Sequence, residues 1–402
     1  MQLPAVNVAD LIELTERLVS TDSRTPREEA AAALIAEEIK KLGLTPEWHE
    51  VAPGRPNVSV SAALGPHDSF VTFTGHLDTV DVAAGWVTDP FTPVTRDGRM
   101  YGLGALDMKS GVACAFQAFK LLLGAKDLHP SLGRIGFAAT VDEEGFGSGA
   151  RALVATAYGK SDLLLLAEPF HGTGADDPIP LVMTGKVLYR IVVNGRSSHA
   201  LAHPERGINA VDDAARIVVA LDQLPLGSHP TFGRTNYSVL KIDGGYREYA
   251  VVVPERCEIV VTRLLAPGET KASAVRDLEQ IVGRLALAST VEILVAPPYY
   301  DPYELAADCL AVRCFREAYH CHIGREPALG GLLCITDSNI YLGEAGIPTV
   351  TFGPRGSGLH EKNEYVEVNT LEPVVRVFME TAVRFAGGQG GKSAGRQGEL
   401  PG

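Results

Sequence analysis

The stretch VTFTGHLDTVD, residues 71–81, runs from apolar positions into a histidine and a carboxylate that stand two residues apart. Its apolar half predicts a buried strand, and side chains two apart on a strand lie on the same face. His76 and Asp78 should therefore project together where the strand ends. A buried strand that finishes in two such polar side chains indicates a functional site at that end.

Short apolar segments on both sides of this stretch define the fold class. Residues 69–75, 134–141 and 162–167 predict buried strands, and residues 109–125 predict a helix between the first two. Near-continuous apolar strands that alternate with helices are typical of parallel sheets covered on both faces. We therefore predict an α/β fold with a mostly parallel central sheet between helices.

The length and texture of the chain predict two domains. A chain of 402 residues is long for a single core. We expect an α/β domain whose first part spans 1–185, an α+β insert over 186–297, and a second part of the α/β domain over 298–387. Residues 388–402 are rich in glycine and polar residues, which predicts a disordered tail.

One helix start carries a strong local signal. In TPREEAAAALIAEEIKK the order of residues places Thr25 as N-cap, Pro26 at the first helical position and Glu28 at the third. This is the pattern of a capping box with the preferred proline. We predict that the helix begins at Pro26.

Composition excludes some functions. The net charge of −13 argues against nucleic acid as a partner, because phosphate binding needs a basic face. No apolar segment is long enough to cross a bilayer, and the first residues lack the pattern of a secretory signal. The six cysteines form no CxxC pair, which favours free thiols in a reducing compartment. We expect a cytoplasmic protein without a membrane partner.

Acids and histidines stand at the ends of the predicted strands. His76 ends the first, Asp142-Glu143-Glu144 follow the second, and Glu168 follows the third. Asp107 lies in the glycine-rich loop GLGALDMKSG before a helix, and His360 lies in the loop GPRGSGLHEKNEYV. In open α/β sheets, ligands bind beyond the carboxyl ends of the strands, so we expect these side chains to converge.

Divalent cations would explain why so many carboxylates are brought together. Unpaired carboxylates a few ångströms apart repel, and some would be forced to protonate. Two histidines and three carboxylates suit two zinc-like ions that share one carboxylate. Of the adjacent pair Glu143 and Glu144, one can bind metal while the other relays a proton.

The ordered motifs GHLDTV, GALDMKSG, VDEEGFGSGA, LLLLAEPF, RSSHA and GPRGSGLHEKNEYVEV closely resemble those of the M20 family of metallohydrolases. That family includes acetylornithine deacetylase, succinyl-diaminopimelate desuccinylase and glutamate carboxypeptidase. The resemblance runs from about residue 8 to residue 386. It implies a metallohydrolase domain interrupted by an α+β lid and dimerisation domain.

The resemblance also implies a role for each residue of the site. Asp107 would bridge two divalent ions, zinc by default, with cobalt or manganese as substitutes. Glu143 would be the general acid and base that acts on a metal-bridging water, and Asp78 would orient a metal-bound histidine. A cis peptide is expected after Asp107. The remaining ligands would be His76 and Glu168 on one ion, and Glu144 and His360 on the other.

The resemblance also implies residues that bind substrate, two of them in the insert. His199 in GRSSHA matches a histidine that stabilises the oxyanion in the partner's active site of dimeric members. Arg263 in VTRLLAPGE matches an arginine that grips a substrate carboxylate. Gly331, in GGLLCITDSN, keeps part of a GGTSDA-like segment. Val251 stands where members of the family often have an asparagine. This difference and the incomplete GGTSDA-like segment both concern substrate recognition, so they bear on which substrate the protein binds.

The predicted activity is hydrolysis of the amide bond of an N-acyl amino acid, of the deacetylase or desuccinylase type. A dipeptidase or carboxypeptidase of the same family is the first alternative. A metal-binding module without catalysis is the second, although the intact Glu143 argues against it. The expected partners are a small N-acyl amino acid or short peptide and a second copy of the chain.

Overall fold

The computed structural model describes residues 2–169, 178–246, 248 and 250–388. Apart from Gly388, which ends the last helix, the tail predicted over 388–402 lies outside the described residues. Two compact units are present. Unit 1 comprises Met1–Leu181, Leu305–Gly330 and Thr336–Gly402, and unit 2 comprises Val182–Glu304 and Gly331–Ile335.

The elements of the described residues, in chain order, are as follows. The helices are α1 Val8–Val19, α2 Glu29–Lys41, α3 Ser110–Gly124, α4 Ser148–Val154, α5 Ala210–Ala220, α6 Lys271–Arg284, α7 Leu310–Ile323 and α8 Leu371–Gly388. The strands are β1 Glu47–Ala52, β2 Arg55–Ala63, β3 Phe70–His76, β4 Val94–Arg96, β5 Arg99–Tyr101, β6 Arg134–Thr140, β7 Leu163–Leu166, β8 Ile179–Met183, β9 Gly185–Asn194, β10 Ser228–His229, β11 Gly233–Arg234, β12 Tyr237–Gly244, β13 Arg256–Leu265, β14 Thr290–Tyr300, β15 Tyr303–Glu304, β16 Leu329–Leu332, β17 Thr349–Thr351, β18 Gly356–Ser357 and β19 Tyr365–Glu367.

The main sheet of unit 1 has the strand order β1-β2-β6-β3-β7-β17. Strands β6, β3, β7 and β17 run parallel, whereas β1 and β2 pair antiparallel at one edge. Every residue of β3 is buried, which requires cover on both faces of the sheet. The predicted α/β fold is therefore confirmed, and the carboxyl ends of β6, β3 and β7 lie side by side.

Helices supply the cover that these apolar strands need. Helices α3 and α8 pack against each other and against β3, while α2 and α4 pack against β2. Helix α3 is buried over most of its length, as expected for a helix that follows a buried strand. A second, four-stranded sheet with the order β18-β19-β5-β4 brings the segment after His360 next to the segment before Asp107.

The predicted start of α2 is wrong. The helix begins at Glu29, and Glu28 at its N-cap makes no side-chain capping bond. The hydroxyl of Thr25 instead donates to Asp78 Oδ2 over 2.8 Å, and the bond between Thr25 and Pro26 is cis. The Thr25 hydroxyl is therefore bound to Asp78, which is distant in the sequence, and does not cap the helix.

Unit 2 is built on an antiparallel sheet with the order β12-β13-β9-β14. Burial alternates along β13, so one face of the sheet is covered. Helices α5 and α6 supply that cover, and their apolar residues pack with Tyr189, Ile191 and Ile259. The shorter sheets have the orders β15-β8-β16 and β10-β11. Among the described residues, no helix combines the length and apolar character needed to span a membrane.

Candidate metal centre

His76 ends β3 and is almost fully buried. Its Nδ1 lies 2.9 Å from the main-chain oxygen of Asp78, and its Nε2 therefore faces the acids around it. Nε2 lies 3.2 Å from Asp107 Oδ1 and 3.6 Å from Glu168 Oε2. A histidine held through one ring nitrogen with the other facing carboxylates is the arrangement of a metal-bound imidazole.

Asp78 holds the turn that follows β6. Its carboxylate accepts hydrogen bonds from the backbone N–H groups of Glu143 and Glu144 at 3.2 and 3.0 Å, as well as from Thr25. The nearest carboxylate oxygen of Asp78 is 3.6 Å from Nδ1 of His76. Asp78 thus reaches His76 through its main chain, while its side chain positions the two adjacent glutamates.

Asp107 is held in place by a carboxylate from another element. Glu364, at the start of the segment leading into β19, accepts from the backbone N–H groups of Gly104, Leu106 and Asp107 over 2.8 to 3.0 Å. The peptide bond between Asp107 and Met108 is cis, as the resemblance implied. The two oxygens of Asp107 point to different histidines, since Oδ1 faces His76 and Oδ2 lies 3.2 Å from His360 Nε2.

His360 and Glu144 form the other side of the cluster. His360 Nε2 lies 3.0 Å from Glu144 Oε1, and its side chain is 49% exposed, so this side faces solvent. Hydrogen bonds to Asp107 and Glu144 raise the pKa of His360 to about 10. The same residue adopts a positive φ of 58° in its loop.

The buried acids of the cluster repel one another. Burial raises the pKa of Glu143 and of Glu168 well above the usual range, and the charge of neighbouring carboxylates adds to this. Burial also opposes the charged form of Asp107, but hydrogen bonds from His360 and His76 lower its pKa. Without a further positive charge, the cluster can keep its acids together only by protonating some of them.

This donor set fits divalent cations. Ligand atoms of His76, Glu143 and Glu168 lie within 4.8 Å of one another, and so do those of His76, Asp107 and Glu144. Glu168 Oε2 is buried and has no hydrogen-bond partner among the described residues. Nitrogen and carboxylate oxygen donors at this spacing are those that zinc, cobalt and manganese accept.

Asp337 belongs to this region, although its sequence segment predicts a role only in substrate recognition. It is buried, its Oδ2 accepts from Thr140 Oγ1 over 3.2 Å, and its Oδ1 has no partner among the described residues. Burial raises the pKa of Asp337 to about 7. Its charge in turn raises the pKa of Glu143 and of Glu168. The TDSN segment was the signal, but only the fold shows that Asp337 acts on the acids.

The remaining predicted residues belong to unit 2. His199 is exposed, and its Nδ1 accepts from the backbone N–H of Leu201. Gly331 meets Thr231 so closely that a Cβ would lie 2.1 Å from the threonine hydroxyl oxygen. That close approach is a packing reason for glycine at this position.

Arg263 does not have the open surroundings that a substrate-binding arginine needs. Its side chain is fully buried, and its guanidinium donates to Asp277 at 3.0 Å, Glu269 at 2.5 Å and the carbonyl of Pro225. Two carboxylates already fill the fork that a substrate carboxylate would occupy. In this geometry Arg263 links segments of unit 2 through buried ion pairs and a hydrogen bond. A substrate carboxylate would have to displace one of its acidic partners.

Comparison with known proteins shows the family of this chain. Residues 72–384 match the family described as Peptidase family M20/M25/M40. A succinyl-diaminopimelate desuccinylase of Methylorubrum extorquens is 30% identical over 382 residues, which cover 91% of this chain and 96% of that protein.

Solved structures share the fold over nearly the whole chain. Aminopeptidase PepT from Bacillus cereus superposes with a TM-score of 0.77 at 22% identity, covering 95% of this chain and 99% of that one. The Bacillus subtilis YXEP protein, described as a dinuclear metal binding peptidase, gives a TM-score of 0.66 at 16% identity, with coverages of 94% and 97%. At these identities the likeness concerns the fold alone.

Proposed function

Because the chain belongs to peptidase family M20/M25/M40 and is an amide-bond hydrolase, we propose that it cleaves N-acyl amino acids using two divalent cations. The observation that carries this proposal is the convergence of two histidines and four buried or partly buried carboxylates, which come from the ends of β3, β6 and β7 and from the loops that carry Asp107 and His360. A cluster of this kind is suited to metal-assisted hydrolysis.

The ligand assignment follows the family resemblance, and the distances from His76 to Glu168 and from His360 to Glu144 support it. Asp107 would be shared, because its two oxygens face different histidines. His76 and Glu168 would complete one ion site, and Glu144 and His360 the other. Bound divalent ions supply a Lewis acid for the amide carbonyl and lower the pKa of a water at neutral pH. Zinc is the expected metal, with cobalt or manganese as substitutes.

Glu143 would handle the proton. Its carboxylate lies 4.0 Å from His76 Nε2, and its backbone N–H donates to Asp78, which holds it at the cluster. Burial and neighbouring charge raise its pKa, which is the direction needed to take a proton and return it near neutral pH. We assign it to deprotonate the attacking water and then to protonate the leaving amine.

The substrate class is proposed from the relatives. Curated relatives that align over more than nine-tenths of the chain are named succinyl-diaminopimelate desuccinylases. An N-succinyl or N-acetyl amino acid is therefore the first candidate. A di- or carboxypeptidase is the second, because the matched family is described as a peptidase family. An inactive metal-binding module is disfavoured by the family and by the presence of Glu143.

For unit 2 we propose a lid and dimerisation role. Strand β12 is an edge strand of its sheet and carries the exposed apolar residues Leu240 and Ile242. Exposed apolar edges are sites at which sheets of two chains join. In a homodimer, His199 would donate to the oxyanion formed in the site of the other chain. We expect this dimer in the cytoplasm, where the six free cysteines stay reduced.

Rates on matched substrates test the substrate class. We would compare kcat/KM for N-succinyl, N-acetyl and N-formyl derivatives of one amino acid with dipeptides that carry the same residue. The proposal predicts a preference for one acyl class by at least about tenfold, which is about 1.4 kcal/mol in transition-state binding. Faster cleavage of the dipeptides than of every acyl derivative would place the chain with the peptidases.

A further inference from the structure

A second group of metal-binding side chains lies in unit 1, at the end of α7 and on α8. It consists of Cys321, His322 and Glu380, whose ligand atoms all lie within 4.8 Å of one another. The two helices pack against each other. None of the three residues belongs to the cluster at the strand ends. Thiolate, imidazole and carboxylate are the three donor types found in protein zinc sites.

The carboxylate of this group is held firmly. Glu380 is 6% exposed, and its Oε2 lies 2.6 Å from Nε2 of His322. Its other oxygen, Oε1, accepts from Arg384 Nε at 2.7 Å. Arg384 therefore fixes one oxygen and leaves the second directed at His322. A cation between Oε2 and the imidazole would replace only the hydrogen bond between these two atoms.

The surroundings allow a cation to enter and to stay. Cys321 is exposed and lines an open groove of about 480 Å³. Cys321 and His322 lie in the last turn of α7, where the helix dipole is negative and favours positive charge. The guanidinium of Arg384, which also lines the groove, is paired with Glu317 as well as with Oε1 of Glu380, and the charge of Glu317 offsets that of Arg384 beside the site.

We propose that Cys321, His322 and Glu380 form a third metal site that binds a thiophilic divalent ion such as Zn²⁺. Cys321 binds as the thiolate and releases its proton to solvent, and the three protein ligands leave one position for water. The ion connects the end of α7 to the middle of α8. Because the cluster at the strand ends offers only nitrogen and oxygen donors, the thiolate gives this site a signature of its own.

Cobalt absorption tests the proposal without any enzyme assay. Chelator-treated full-length protein would be titrated with Co²⁺ while the thiolate-to-cobalt charge-transfer absorption in the near ultraviolet is recorded. We expect a band whose final intensity corresponds to one thiolate-bound cobalt per chain, which saturates at micromolar free cobalt and is displaced by Zn²⁺. Cys321→Ser should abolish the band, and Glu380→Gln or His322→Gln should weaken cobalt binding by about tenfold or more.

Cys309→Ser is the matched control, because Cys309 is a partly exposed cysteine at the other end of α7. It should leave the band and its midpoint unchanged. The proposal is overturned if the wild-type protein shows no charge-transfer band, if the band survives in Cys321→Ser, or if it develops only at millimolar cobalt. Activity plays no part in the readout, so the outcome is independent of the proposed hydrolysis.

Discussion

Turnover depends on proton transfer by Glu143 in the proposed mechanism. Glu143→Gln keeps the size of the side chain but removes its ability to take a proton. We expect kcat to fall by about 10²–10⁴-fold, the usual contribution of a general acid or base. Bound metal, measured by elemental analysis, should stay at the wild-type level, because Glu143 is not assigned as a ligand. A variant that retains wild-type kcat would remove Glu143 from the mechanism.

Glu364 is predicted to set metal affinity without binding metal. Its carboxylate accepts three backbone N–H groups of the loop that carries Asp107, and an amide in its place can accept fewer. Glu364→Gln should weaken metal binding by about 10–100-fold, as is usual when a partner that supports a ligand is lost. Chelator competition would measure this loss. Glu361→Gln, an exposed change in the same loop, should bind metal like the wild type.

Asp337 should make the stability of the metal-free protein depend on pH. Burial raises its pKa from 3.8 to about 7, so the folded state binds this proton more tightly than the unfolded state. The stabilisation is complete below about pH 4 and is lost as the pH rises to about 7, by up to about 1.4 kcal/mol for each pH unit crossed.

Urea unfolding of chelator-treated protein across this pH range measures the effect. The wild type should lose stability relative to Asp337→Asn as the pH rises. Removing the charge of Asp337 also lowers the pKa of Glu143 and of Glu168 towards normal. The free energy of unfolding of the variant therefore falls less steeply with pH, which adds to the expected difference from the wild type. Parallel pH profiles for the two proteins would show that Asp337 is not the group responsible.

The residues of the cluster could be predicted from sequence because each stands beside a recognisable local signal. His76, Glu143 and Glu168 follow apolar strands, and Asp107 and His360 lie in glycine-rich loops. Asp337 was not recognised as a partner of these acids, since its effect depends on a contact with the end of β6. The burial of Arg263 could not be predicted either, because its acidic partners Glu269 and Asp277 meet it only in the folded unit.

At the scale of elements, the close approach of α3 to Ala167, the residue after β7, positions Glu168. Gly111 in α3 lies against the strand end so closely that a Cβ would lie 2.1 Å from the carbonyl oxygen of Ala167. Gly111→Ala should cost about 1–3 kcal/mol by overpacking, and it should weaken metal binding because Glu168 follows Ala167. Gly124→Ala, in the same helix with nothing within 4 Å of its Cβ, is the control and should be neutral or slightly stabilising.

Chemical unfolding and metal titration of both variants would check this prediction. Equal stability of Gly111→Ala and Gly124→Ala would show that α3 can shift without moving the strand end.

The strands β3, β6 and β7 were predictable because their apolar runs leave only one interpretation. The start of α2 was not, because Thr25 gives its hydroxyl to Asp78, a partner far away in the sequence.

At the scale of the whole molecule, the exposed edge of unit 2 predicts a homodimer. Leu240 and Ile242 are more than half exposed on β12. Leu240→Lys should convert the dimer to a monomer in light scattering, because a buried charge at an apolar interface is costly. Trp48→Lys, on the edge strand β1 of unit 1, is the matched control and should leave the mass unchanged. A monomeric wild type, or a dimeric Leu240→Lys variant, would contradict the assignment of this edge.

Turnover as a function of bound metal is the first measurement we would make, because the proposed hydrolysis depends on two ions. Chelator-treated protein would be given measured amounts of zinc, cobalt or manganese, and free amine released from an N-acyl amino acid would be recorded at each occupancy. We expect no release from the stripped protein, full turnover when two ions are bound at the strand ends, and no turnover by Glu143→Gln at the same occupancy. Full turnover by protein that holds no metal, or none by fully loaded protein on every N-acyl amino acid and dipeptide, would contradict this expectation.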